Sequence, residues 1–217
     1  MYVAGTPGCH DIAAAESAAE AIGADLVTVT VDGDGCIPLL EEEMSVLRTA
    51  NPLVLAFSAP LYLVMRDCRE DTVLTGQCAD EIFGGYSKYA SLSDDRLIGA
   101  MADDLERFRS ETLPCDGMME KAFRRTIVRP YYDGDIRPTV FSRPVSEIRP
   151  SPGDRKKVLY DAAAELGLDF LRDRPKKAAQ YGSGILDAIK AGCRREGTEF
   201  NGLVRDIAMR SGIPPFC

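Results

Sequence analysis

The chain has one histidine, no surplus of positive charge, no closely spaced pair of cysteines and no apolar run long enough to cross a bilayer. Each absence excludes something. His10 is the only imidazole, so a Ser-His-Asp or Cys-His device would have to use it. Adjacency sends the Cys9 and His10 side chains apart, and His10 is expected to be a surface loop residue. Lys and Arg number 26 against 34 Asp and Glu, a net charge of -8. Contacts to a phosphate backbone need surplus positive charge, so nucleic acid is not an expected partner; a local basic site for a nucleotide is still compatible. The cysteines (Cys9, Cys36, Cys68, Cys78, Cys115, Cys193 and Cys217) show no zinc-clamp spacing. With no secretory segment in view, they are expected to be reduced thiols of a cytoplasmic protein. The longest apolar run, residues 53–65 (LVLAFSAPLYLVM), is interrupted by Ser58 and Pro60 and is too short to span a membrane.

What is present is an alternation of strand and helix signals. Residues 2–5 read as a short strand. An Ala-rich helix over 12–22 follows, with Asp11 as N-cap and Gly23 as stop. The β-branched run 26–31 (LVTVTV) reads as a strand, and Pro38 opens an acidic helix over 39–50. The run 53–68 is read as a strand to about Phe57 and a helix after Pro60, and 72–75 as the next strand. This order argues for an α/β fold, a parallel sheet with flanking helices. Beyond Tyr89 the strand signal fades. Helices are expected over 94–109, 118–128, 154–166, 184–195 and 202–209, with a proline-broken stretch at 136–152. The expected organisation is therefore an incomplete α/β nucleotide-binding part over 1–90, followed by a helical part over 91–217.

In a parallel sheet, ligands bind at the carboxyl ends of strands. The loop Thr75-Gly76-Gln77-Cys78 lies at such an end, and Gly76 would let backbone pass close to a ligand. Asp80 and Glu81 then have two readings. They are acids in a helical first turn, complementing its dipole, with Gly84-Gly85 as the stop; or they serve a phosphate site, as Mg2+ ligands beside the anion. Lys176-Lys177 likewise reads on its own as a solvated helix entrance.

The stretch TGQCADEIFGGY resembles the signature loop of the asparagine synthetase family, SG-x-G-[SA]-DE-x-FGGY. The resemblance continues in YVAGTPGCHDIAAAESAAEAIGADL, in APLYLVMRDCREDTVLTG and in IVRPYYDGDI. GDRKKVLYDAAAELGL with RPKKAAQYGSGI is similar to the late helix and lysine loop of archaeal-type members. This resemblance implies an adenine nucleotide alpha-hydrolase-like fold, that of a PP-loop ATP pyrophosphatase. It implies ATP and Mg2+, and adenylation of the aspartate side-chain carboxylate before ammonia attacks. Carried over by motif, Asp80 would bind Mg2+-pyrophosphate and Glu81 would support the loop. Thr75, Gly76 and Gln77 would line the nucleotide. Lys176, with Lys177 as its rival, would neutralise charge on the phosphates, and Gly182-Ser183-Gly184 would close over the site.

The chain departs from that pattern in three places. The family's SGG-x-DS loop and first strand, and its amidotransferase domain, are missing upstream of Tyr2, so Met1 is expected to be internal to a longer enzyme. Gln77 and Cys78 replace the usual Glu and second Gly; Cys78 is expected to be a small buried hydrophobe. The segment before 128 does not reproduce the aspartate-recognising wall, and the expected Arg falls one place late, as Arg129. The alternatives are a truncated binding protein without catalysis, or an adenylating enzyme for another carboxylate completed by a partner chain. Expected partners are aspartate or a related acid, ammonia, a separate amidotransferase or a chain supplying the missing loop, and a second copy in a homodimer.

Overall fold

The structure is a computed structural model and describes residues 1–151, 155–172 and 179–214. In chain order its elements are β1 (Tyr2–Gly5), α1 (His10–Ile22), β2 (Val27–Thr30), α2 (Cys36–Leu47), α3 (Pro52–Asp67), β3 (Thr72–Leu74), α4 (Ala79–Ile82), α5 (Asp94–Arg107) and α6 (Leu113–Phe123). They continue with β4 (Thr126–Val128), α7 (Pro130–Asp133), α8 (Ile136–Phe141), α9 (Val145–Ile148), α10 (Lys157–Glu165), α11 (Ala179–Gly182), α12 (Ile185–Arg195) and α13 (Phe200–Ser211). The chain is thus mixed α/β with short parallel sheets. Its residues form two compact units, neither of them a continuous stretch.

The first unit holds Met1–Asp71, Cys115–Arg125 and residues 179–214. β1 and β2 pair in parallel, from Tyr2 opposite Val27 to Gly5 opposite Thr30. Gly23 ends α1 in the left-handed conformation, as the sequence suggested. The N-cap of α1 is Cys9 rather than Asp11, and His10 is the first helical residue, not a loop residue. The run 53–57 is helical rather than a strand. Asn51 caps α3, its side chain accepting from the Leu53 and Val54 N–H groups, and Pro52 takes the first helical turn, where it lacks no hydrogen bond. Pro60 therefore sits inside α3. The core is built on α2 and α3, with Leu40, Met44, Leu47, Leu55, Leu63 and Met65 buried, and α12 and α13 pack onto them.

The second unit holds Thr72–Pro114 and residues 126–151 and 155–172. β3 and β4 pair in parallel, Thr72 opposite Thr126 and Leu74 opposite Val128. β4 replaces the end of the helix expected over 118–128; the β-branched Thr126, Ile127 and Val128 suit a pleated strand, and Ile127 is buried. The core gathers Cys78, Ile82, Phe83, Tyr89, Leu97, Met101 and Phe108. Pro138, Pro144 and Pro150 keep α8 and α9 short, in line with the proline-broken reading. Among the described residues no single helix is long and apolar enough to cross a membrane.

Candidate active site

The loop after β3 is set by the strand itself. The Thr75 N–H donates to the Val128 carbonyl at 3.0 Å, extending the pairing by one residue. The Thr75 hydroxyl then donates to Gln77 Oε1 at 2.9 Å. Gly76 faces open space: a Cβ there would meet nothing within 4 Å. Cys78 is 3 % exposed, the small buried residue expected, and its φ is +67°. That left-handed conformation favours glycine and costs about 1 kcal/mol or more for a residue with a Cβ. It accounts for a glycine at this place in the resembling motif.

α4 is a single turn carrying both acids, and they diverge. The Glu81 side chain is buried and accepts a hydrogen bond from the Tyr86 hydroxyl at 2.6 Å, closing the loop on itself. Burial raises the Glu81 carboxyl above its usual range, and the Tyr86 bond partly offsets this. Behind it, Asp104 is buried and accepts from the Tyr89 hydroxyl at 2.6 Å. Lys88 Nζ lies 2.5 Å from Asp104, and Arg107 lies 3.3 Å from it. The Lys88 ammonium also sits 5.4 Å and 5.5 Å from the centroids of the Tyr86 and Tyr89 rings.

Asp80 points elsewhere. Its carboxylate is 24 % exposed and lies 3.3 Å from Lys156 Nζ. A Cβ on Gly85 would overlap the Asp80 carboxylate and come within 2.5 Å of Lys156 Cε. A Cβ on Gly84 (φ +66°) would come within 2.5 Å of the Ile148 carbonyl oxygen. The two glycines thus do more than stop a helix: Gly85 leaves room for the Asp80–Lys156 pair. Lys156 has φ +59° and precedes α10, so strained backbone delivers its ammonium. Nothing in the sequence around Lys156 signals this contact.

Magnesium binds through one or two carboxylates together with phosphate oxygens and water, not through an all-protein cage. Asp80 fits that mode, being partly exposed beside open loop backbone. Among the described residues no cluster of three or more His, Cys, Asp or Glu side chains could hold a metal unaided.

Gly182 and Ser183 belong to the first unit, where they pack on the end of β1. The Thr6 N–H donates to the Ser183 carbonyl at 2.8 Å. A Cβ on Gly182 would overlap the Asp11 carboxylate, and one on Gly184 (φ +72°) would overlap the Thr6 hydroxyl. Beside them lies a cleft of about 470 Å³ lined by Thr6, Gly8, Cys9, His10, Gly33 and Gly182 among others. His10 Nδ1 is 3.2 Å from Asp11 Oδ1. This cleft follows the carboxyl ends of β1 and β2. Lys176 and Lys177 lie outside the described residues. Arg129 is buried; its guanidinium donates to the Ile127 carbonyl at 2.9 Å and its N–H to Asp133 at 2.8 Å.

The sequence profile of the asparagine synthase family matches residues 1–132, more than half of the chain. The chain belongs to the asparagine synthase family. The matched segment includes β1 to β4 and the Thr75–Gly85 loop. Among curated relatives, the "Putative asparagine synthetase (glutamine-hydrolyzing) 1" of Methanocaldococcus jannaschii is 24% identical over 222 residues, covering 85% of this chain and 41% of that protein. The "Putative asparagine synthetase (glutamine-hydrolyzing)" of Mycobacterium tuberculosis is 37% identical over 120 residues, 53% of this chain and 18% of that protein. "Asparagine synthetase domain-containing protein 1" of Gallus gallus is 31% identical over 121 residues, 52% of this chain and 19% of that protein. This family member thus spans at most about two-fifths of the length of these relatives.

Proposed function

We propose that this chain carries part of the synthetase site of an ATP-dependent amide-forming ligase with the PP-loop pyrophosphatase fold. ATP adenylates the aspartate side-chain carboxylate, pyrophosphate leaves, and ammonia displaces AMP to give asparagine. The observation that carries this reading is the Asp80–Lys156 pair beside the loop that follows β3, over a glycine that leaves room for it. A carboxylate and a lysine at the carboxyl end of a parallel strand suit a magnesium-phosphate ligand, the carboxylate for the metal and the ammonium for a phosphate oxygen. Asp80 would hold Mg2+, which would supply positive charge against the negative charge on the leaving oxygens.

Each residue then has a role. Asp80 holds the metal end of the leaving group. Glu81 ties the loop to Tyr86 and keeps Asp80 turned outward. Thr75, Gly76 and Gln77 offer hydroxyl, open backbone and amide to the nucleotide. Lys156 is paired with Asp80 and would offer its ammonium to a phosphate oxygen. Lys176 or Lys177 supplies a further positive charge. The partners in this reading are aspartate or a related acid, ammonia from an amidotransferase, a chain segment supplying an SGG-x-DS loop, and a second copy. The two-stranded sheets support a completing segment. Parallel sheets are normally covered on both faces, yet Val27 and Leu74 are 47 % and 69 % exposed.

A second reading is a binding protein without catalysis. It is favoured by Cys78 in a glycine-favouring conformation and by the Arg129 guanidinium turned onto its own backbone. Nucleotide binding together with aspartate-dependent pyrophosphate release, both measured with the completing segment supplied, separates the two. Binding with no release supports the second reading, and absence of both removes the ligase reading.

A further inference from the structure

The first unit carries a second, larger cleft that no step of the proposed reaction uses. It has a volume of about 710 Å³, within the range of small-molecule sites. Its wall comes from the start of α3, from α11 and α12, and from the start of α13. Leu53, Tyr181 and Phe200 supply apolar surface, and Leu53 and Tyr181 are 55 % and 56 % exposed. Two cations, Lys190 and Arg194, stand one turn apart on α12 in the same lining. Neither is paired with a carboxylate among the described residues, on a chain of net charge -8. Glu199 is the single acid in the lining, so the cleft keeps a net positive charge.

A third donor faces the same space. Asn51 lines the cleft and is 5 % exposed. Its side-chain oxygen is taken by the Leu53 and Val54 N–H groups at 3.0 Å and 3.4 Å. Its NH2 makes no hydrogen bond among the described residues. An amide with donor capacity, beside two cations without a carboxylate partner among the described residues and uncovered apolar side chains, asks for one kind of ligand. We propose that this cleft binds a small carboxylate with an apolar body, the carboxylate meeting Lys190, Arg194 and the Asn51 amide and the body covering Leu53, Tyr181 and Phe200. The inference does not depend on the ligase reading.

The test is calorimetric titration of the chain with 4-phenylbutyrate, and with 4-phenylbutanol as the uncharged control. Saturable binding of the carboxylate is expected, with the alcohol about tenfold weaker or more, since a hydrogen bond to a charged group contributes at least about that factor. Lys190→Gln and Arg194→Gln should each weaken the carboxylate about threefold to tenfold and leave the alcohol unchanged. Leu53→Ser should weaken both. Thermal melts of these variants and of the Lys190→Gln, Arg194→Gln double variant separate lost binding from lost folding. Equal affinity for the two probes, an unchanged affinity in the Lys190→Gln, Arg194→Gln double variant with an intact fold, or no saturable binding of the carboxylate overturns the proposal.

Discussion

Glu43 gives a prediction that depends on no ligand. It lies on α2, facing α3, with 0 % exposure. Its Oε1 accepts from the Ser58 hydroxyl at 2.6 Å, while Oε2 has no partner among the described residues. The nearest guanidinium on α3, that of Arg66, is spent on Glu42 and Asp67 instead. Burial pushes the Glu43 carboxyl up to about 8, with the Ser58 bond offsetting part of the effect. An unfolded glutamate titrates near 4.3. Below that pH both states are protonated and there is no cost. As pH rises from there to about 8, only the unfolded chain releases the proton, so stability falls; above about 8 both are ionised and the cost levels off. At about 1.4 kcal/mol per pH unit, the loss between pH 5 and pH 8.5 is about 3–4 kcal/mol. Glu43→Gln keeps an acceptor for Ser58 and removes the titration. Denaturant unfolding of both proteins at pH 5, 7 and 8.5 reads the difference, in which all other titrating groups cancel. The variant should gain on the parent steadily with pH. Parallel profiles would refute a buried neutral carboxyl.

Three further outcomes are expected. Gly85→Ala should push the Asp80 carboxylate and Lys156 apart, costing about 1–3 kcal/mol in a thermal melt and weakening magnesium-ATP binding in a filter assay. Asp104→Asn removes the charge that Lys88, Arg107 and the Tyr89 hydroxyl share behind the loop, and should destabilise by about 2–3 kcal/mol in urea. Cys78→Gly and Cys78→Ala both lose the thiol, so their difference isolates the backbone; the glycine variant should be about 1 kcal/mol the more stable of the two.

The local signals that proved legible were those with a single physical cause. Gly23 could be read as a stop because a left-handed turn is what glycine permits. The Gly84-Gly85 pair was read as a helix stop; that the turn is crowded could not be read, because Lys156 and Ile148 come from far along the chain. Residues 53–57 were misread because a short apolar run suits strand and buried helix alike; Asn51-Pro52, a cap followed by a helix-starting proline, was the decisive cue. β4 is three residues long and closes its sheet with β3, a pairing no local pattern announces. Asp80 and Glu81 stood together in the sequence, but their division of labour required the fold: one carboxylate buried on a tyrosine, the other held outward beside a lysine.

The Asp80–Lys156 pair as a magnesium-phosphate site is tested most directly by aspartate-dependent release of pyrophosphate from ATP and Mg2+, comparing the parent chain with Asp80→Asn, each supplied with a segment that carries the SGG-x-DS loop. Asp80 is partly exposed, so the substitution should alter the melting free energy by about 1 kcal/mol or less. Release that requires aspartate in the parent and falls at least about a hundredfold in a folded Asp80→Asn variant is the result expected. Release at the same rate in both proteins would contradict the assignment.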